Sequence, residues 1–306
     1  MQKRGKTAAG TQRWKCLPCK KSGVRTRSDT HARHLHKRFV AWLTDTRELS
    51  KVAVDVGCSR GHLTELFQKL WEYPTPSSPE RVSYVHVLIV DGVYLSGRTN
   101  AVLIGRTVDA VALWHFAKRE NQYAWLAFFS RIDHADVVVM DGQKGLVKAV
   151  LGRFPDIRIQ RCLVHVERFV RSRISMRPKT DAGKELWKLT RTIWEVKTHD
   201  DAHRWCAVFA LWEERHARFL KEKTYPTNST QRPWYTHRTL RAARSHIKNA
   251  LPHLFTFTEV CGVPRTTNHV EGGVNARLKE LIRRHRGFSP ERKRVLAAYF
   301  LASKRG

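Results

Sequence analysis

Acidic side chains are scarce in this chain: 27 Asp plus Glu stand against 57 Lys plus Arg, a formal net charge of +30. Self-repulsion on that scale works against a compact monomer, so the excess calls for a polyanionic partner, and a nucleic acid backbone supplies one. Long apolar runs are missing too. No uninterrupted stretch of about 18 apolar residues occurs, and no apolar segment follows the charged start as in a secretory signal. A membrane surface, the rival polyanion, therefore has no anchor here. A disulfide framework is also lacking. The six cysteines (Cys16, Cys19, Cys58, Cys162, Cys206, Cys261) are scattered, which suits reduced thiols or metal binding better than paired bridges. There is no G-x-x-x-x-G-K-[ST] sequence, so no phosphate loop for ATP, and no internal repeat. What the chain does have is 306 residues, enough for about two domains, and a hydrophobic fraction of 42%, enough for real cores.

The amino-terminal part is the most basic. Residues 1–38 hold twelve Lys/Arg and a single acid, Asp29, with little apolar periodicity before Phe39. Within them "RWKCLPCKKSG" carries a Cys-x-x-Cys pair, Cys16 and Cys19. Structural zinc takes four ligands, so this pair is half of a site. His31 with His34 or His36 is one way to complete it. The second is a zinc ribbon whose first Cys-x-x-Cys would lie before Met1, and a solvated basic arm with idle thiols is the third reading. Residues 39–72 read as helices. A break at Gly57–Cys58 and an N-cap at Ser59 give helix-turn-helix grammar, with Arg60, His62, Thr64 and Gln68 free to meet a DNA major groove. "YPTPSSPE", residues 73–80, reads as a linker between domains.

After the linker, "YVHVLIVDG", "NAVLIGRT" and "VDAVALWHF" read as three strands, followed by a helix near 120–131. "ADVVVMDG" and "IRIQRC" read as two further strands, and residues 163–173 as a helix. Residues 174–262 read as all-helical and Trp-rich (Trp187, Trp194, Trp205, Trp212, Trp234), where an exposed indole would offer a base a stacking face. The expected class is α/β: a mixed five-stranded sheet with helices, over 81–173 and 263–306, interrupted by that helical insertion. Asp91 and Asp141 each end a β-branched run and precede a glycine. If strands one and four lie side by side, their ends bring the two carboxylates together, and close carboxylates repel unless they share a proton or bind cations. Oxygen ligands of this kind suit Mg²⁺ or Mn²⁺. In "TTNHVEGGVN" the spacing of Asn268 and Glu271 predicts a capping box, with Gly272 and Gly273 permitting close backbone approach. Glu271 is the third carboxylate of this reading, and the basic run after it, with Arg277 and Lys279, is a further DNA-contacting candidate.

Four blocks in order, "VLIVDGVYLSG", "VVVMDGQKGL", "RCLVHVERFV" and "TTNHVEGGVNARLKELI", resemble the signature blocks of Mutator-type DDE transposases of bacterial insertion sequences. The resemblance spans about residues 81–290. It implies an RNase H-like catalytic core with Asp91, Asp141 and Glu271 as acidic triad holding two Mg²⁺ (or Mn²⁺) ions. It also implies a Cys-x-x-His motif at Cys162 and His165, expected near the active site or at DNA ends and not as a zinc site. The implied activity is cutting at insertion-sequence ends and joining the 3′-OH ends to target DNA. Partners would be terminal inverted repeats, target DNA and further copies of the chain, in a bacterial cytoplasm at the nucleoid. Two other readings stay open: a catalytically silent DNA-binding repressor or truncated remnant, and a stand-alone RNase H-like nuclease.

Overall fold

The structure is a computed structural model and describes residues 1–24, 28–226 and 232–305. The chain forms two compact units, Met1–Pro76 with Leu281–Phe300, and Ser77–Glu280 with Leu301–Gly306. The first begins with a three-stranded antiparallel sheet, β1 (Gln2–Lys6), β2 (Gln12–Lys15) and β3 (Ser22–Val24), in that order. Cys16 and Cys19 lie in the turn between β2 and β3, where the main-chain N–H of Cys16 donates to Lys21 O at 2.8 Å. Three helices follow: α1 (Ser28–Thr44), α2 (Leu49–Val56) and α3 (Arg60–Gln68). Helix α1 thus starts inside the segment that seemed aperiodic. Gly57 closes α2 in a left-handed conformation, φ 74°, which glycine adopts without Cβ strain. Ser59 then caps α3 by accepting the His62 N–H at 3.2 Å. Phe39, Leu43, Leu63, Phe67 and Leu70 form the core, with Tyr299 of the returning segment among them.

In the second unit the strands are β4 (Val82–Ser96), β5 (Thr99–Arg106), β6 (Val111–Ala117), β7 (Ile132–Met140) and β8 (Arg158–Arg161). They form one mixed sheet in the order β6-β5-β4-β7-β8, with β4 antiparallel to β5 and parallel to β7. Helix α4 (Gln122–Phe129) precedes β7, and α5 (Lys144–Arg153) links β7 to β8. Alternation along the strands puts Leu88, Val90, Val138 and Met140 in one core with Trp125, Phe128, Phe129 and Leu146 of the two helices. The intervening Val87, Ile89, Val137 and Val139 are buried as well. Burial on both faces is why these strands read as continuous apolar runs rather than alternating ones.

Helices α6 (Leu163–Ile174), α7 (Asp181–Arg191), α8 (His199–Arg215), α9 (Ala217–Lys221) and α10 (Arg238–Ala250) follow, sharing one apolar core around Leu186, Trp205, Phe209, Trp212 and Ile247. This stretch is not purely helical. Lys223–Thr224 (β9) and Trp234–Tyr235 (β10) pair as a short antiparallel ribbon. Its tryptophans are packing groups: Trp205 and Trp212 are buried and donate to the carbonyls of Leu189 and Ala182 at 3.1 and 3.0 Å. Trp187, Trp194 and Trp234 are half-buried, with the Trp194 indole donating to Glu167 Oε2 at 2.7 Å. The chain ends in α11 (Asn268–Val270), a π-helical turn over Glu271–Asn275, α12 (Ala276–Arg284) and α13 (Pro290–Ala302). No helix among the described residues is long and apolar enough to cross a membrane.

Candidate active site

Asp91 does not end its strand. β4 runs on to Ser96 because β5 keeps pairing with it, Asp91 opposite Ile104 and Ser96 opposite Thr99. What ends there is the other ladder. The parallel pairing of β4 with β7 stops at Ile89↔Val139. Continuing that register by two residues sets Asp91 beside Asp141, the residue after β7, and alternation turns both toward the same face. Gly142 follows at φ 80°, and the Asp141 carboxylate accepts the Gln143 N–H at 2.8 Å, which fixes the turn into α5.

Burial pushes the Asp91 carboxyl up to about 7, and the charges of Glu271 and Asp141 push the same way, with a lesser push from Glu120. Asp91 keeps some solvent-facing surface, but its surroundings are close enough for desolvation to lead. Asn275, 1% exposed, donates Nδ2 to Asp91 Oδ2 at 2.6 Å, while its own Oδ1 finds no partner. Sequence reasoning missed both Asn275 and Glu120; neither lies in a spacing that announces a role.

Glu271 opens the π-helical turn that joins α11 to α12. The expected capping box is absent: Thr267, not Asn268, is the N-cap, no side-chain cap bond forms, and Asn268 is the exposed first residue of α11. The hydroxyl of Thr267 donates instead to Glu271 Oε1. Of the two glycines, Gly272 faces open space, whereas a Cβ on Gly273 would stand 3.1 Å from Arg106 Nη1. Arg106 in turn donates to the His269 carbonyl at 2.7 Å, tying the turn to β5. π-helical turns are rare and cluster at functional sites.

Cys162 and His165 lie against Glu271. Arg168 Nη1 approaches Glu271 Oε2 at 3.3 Å, and His165 Nδ1 stands 3.3 Å from Oε1, an ion-pair distance without hydrogen-bond alignment. The Thr267 N–H donates to Cys162 Sγ at 3.4 Å. Burial pushes the Cys162 thiol up, but hydrogen bonds from His165 and Thr267 outweigh it and hold the thiol below its usual range. His165 is pushed up to about 9 by its bond to Cys162, aided by the charges of Glu271 and Asp141. Ligand atoms of Cys162, His165 and Glu271 lie within 4.8 Å of one another. Thr267 donates to both the sulfur and the carboxylate, which ties Cys162 to Glu271.

The remaining candidates lie elsewhere. Arg60, His62, Thr64 and Gln68 are all exposed on α3, with Gln68 accepting from Arg292 at 2.8 Å. Arg277 is half-buried and paired with Glu280 at 2.7 Å, while Lys279 is exposed. The Cys19 N–H and thiol hold Cys16 below its usual range, as in a metal knuckle. His36, however, is engaged with the Tyr299 hydroxyl at 2.9 Å.

The family model for transposases of the Mutator family matches residues 80–298, well over half of the chain. The chain belongs to the Mutator family of transposases. It is 31% identical over 103 residues to the transposase for insertion sequence element IS905 of Lactococcus lactis subsp. lactis (strain IL1403). That match covers 29% of this chain and 26% of the relative, so about a quarter of the relative's length is spanned. Within the Mutator-family match lie Asp91, Asp141, Cys162, His165 and Glu271.

Proposed function

We propose that the protein is a DDE-type transposase whose acidic triad is Asp91, Asp141 and Glu271, acting on the ends of an insertion sequence. The observation that carries this reading is the register of β4 against β7, which aligns Asp91 with Asp141 where the ladder stops, with Glu271 near enough to raise Asp91. In this reading the sheet and its flanking helices are an RNase H-like core, and the helices from α7 to α10 are its insertion.

The donor set fits Mg²⁺ or Mn²⁺. All three side chains offer hard oxygen, and a carboxyl pushed up to about 7 by burial and then by like charges is one that a cation would ionise. Asp91, Asp141 and Glu271 would hold the ions, two in number as in phosphoryl-transfer sites of this kind. Bound there, divalent cations lower the pKa of an attacking water or 3′-hydroxyl and neutralise charge at the leaving oxygen. The chain's own residues do the positioning. Asn275 orients Asp91, the Gln143 N–H orients Asp141, and Thr267, Arg168 and His165 orient Glu271. DNA is the partner that the charge of +30 fits, with exposed α3 residues and the segment around Lys279 as contacts. Assembly as a dimer or larger oligomer on DNA belongs to the same proposal, as does a structural zinc on Cys16 and Cys19.

The test uses the element's own terminal repeats with Mg²⁺. Asp91→Asn, Asp141→Asn and Glu271→Gln should each lower end cleavage at least about a thousandfold, a rise of about 4 kcal/mol in the barrier, while duplex binding stays within about threefold. Near wild-type cleavage by any one of the three removes that residue from the site.

A further inference from the structure

Gly92 follows Asp91 and faces the side of the sheet that α4 covers. Its missing side chain leaves a gap, and the carboxylate of Glu120 fills it. A Cβ built on Gly92 would meet Glu120 Cδ at 2.7 Å and both carboxylate oxygens at 2.8 Å. Glu120 precedes Asn121, the N-cap of α4, and is held from two sides. Its main-chain N–H donates to the Tyr94 hydroxyl at 3.2 Å, and Trp125 Nε1 donates to its Oε1 at 3.3 Å.

That indole bond is neutral, and no cationic side chain among the described residues pairs with Glu120. Burial, then the charge of Asp141, raises its pKa, so the carboxylate lies within reach of that charge. Glu271 differs, because His165 and Arg168 already offset its charge. Asp91 and Glu120 have no cationic side chain paired with them among the described residues, whereas Arg161 and His165 lie near enough to Asp141 to feel its charge. An independent observation points to a ligand at Asp91. The Asn275 side chain is 1% exposed and aimed at Asp91, and its Oδ1 is left without a donor. A buried amide oxygen in that state is costly, and water carried on a cation is a donor that would satisfy it.

We propose that Glu120 is a fourth carboxylate of the divalent-cation site, reaching it through the gap at Gly92 and sharing a cation with Asp141 directly or through a bound water. The proposal rests on the triad reading above. It also gives Gly92 a reason to be glycine, since any side chain there would expel the Glu120 carboxylate.

Mn²⁺ binding to the full-length, chelator-treated protein without DNA tests this, by calorimetry and by the electron-spin resonance signal of free Mn²⁺. Glu120→Gln keeps the shape and can still accept from Trp125. It should weaken the tightest Mn²⁺ site at least about tenfold or remove one ion, and Gly92→Ala, which displaces an unaltered Glu120, should do the same. Wild-type Mn²⁺ binding in both variants overturns the proposal, as does Glu120→Gln lowering the chelated protein's melting temperature while Mn²⁺ affinity stays put. Asp141→Asn separates the two levels. If it abolishes binding and the Glu120 and Gly92 variants do not affect it, only Glu120 is excluded. If Asp141→Asn also binds Mn²⁺ normally, the triad reading fails.

Discussion

Replacing Asp91 by Asn should make the metal-free protein more stable, and only at high pH. The carboxyl is pushed up to about 7 in the fold against 3.8 in the open chain, by burial first and then by Glu271 and Asp141. At about 1.4 kcal/mol per tenfold change in acid strength, ionising it in place costs about 4 kcal/mol, and its residual solvent contact brings the expected figure to about 2–4 kcal/mol. The sign follows from proton counting. Between pH 4 and 7 the folded chain holds a proton on Asp91 that the unfolded chain has released, so stability falls as pH rises across that window. Asn carries no charge and its Oδ1 can still accept from Asn275, so the variant escapes the loss. With metal chelated, Asp91→Asn should match wild type near pH 4 and exceed its melting temperature by about 10 °C at pH 8, taking about 2–4 °C per kcal/mol for a unit of this size. Saturating Mn²⁺ should reverse the order, because only the wild-type carboxylate gains from the cation. A pH-independent difference, or a variant less stable than wild type at pH 8, would refute the electrostatic account of this residue.

Gly142→Ala should cost about 2–4 kcal/mol by denaturant titration: the residue sits at φ 80°, and a Cβ there would lie 1.8 Å from the guanidinium of buried Arg161. A change below about 0.5 kcal/mol would mean that Arg161 has somewhere else to go. Ser59→Ala removes the acceptor for the His62 N–H and should cost about 1 kcal/mol in the helical unit, with Ser59→Asp restoring most of it; equal stability of all three proteins would show that water replaces the cap.

How far the sequence reached follows the range of the interactions. Asp91 and Asp141 were readable because each closes a run buried on both faces, and strands buried on both faces announce themselves locally. Their pairing was readable too, since three antiparallel strands followed by a helix leave the first free to take β7 as a parallel neighbour. The end of β4 was misjudged for the opposite reason. Asp-Gly reads as a turn, but Val93 and Leu95 are buried and β5 holds Asp91 to Ser96 in the ladder. Ser59 and Gly57 were legible as a cap and a break, because capping is a matter of a few adjacent residues. Glu271 was readable as an acid at a glycine-flanked helix entry, but the local argument for it as a capping residue misplaced the helix start by one position.

Glu120 shows where local reasoning stops. In "AKRENQYAW" it follows two basic residues and precedes an Asn cap, so composition marks it as a solvated helix entry. Nothing nearby says that Gly92, in another strand, has vacated the space its carboxylate fills. The signal is a pair: a glycine directly after an active-site aspartate, and an acid at the mouth of the helix that crosses beneath it. Each member alone is ordinary, and only the sheet order β6-β5-β4 with α4 packed on it brings them together. The same holds for Cys162, His165 and Thr267, whose meeting around Glu271 joins the start of α6 to a turn about a hundred residues later. In both cases the neutral residues deciding what the charge does were not visible in the sequence. The neutral residues Gly92, Asn275 and Thr267 are therefore sites where mutation should alter the carboxylates without touching a titratable group.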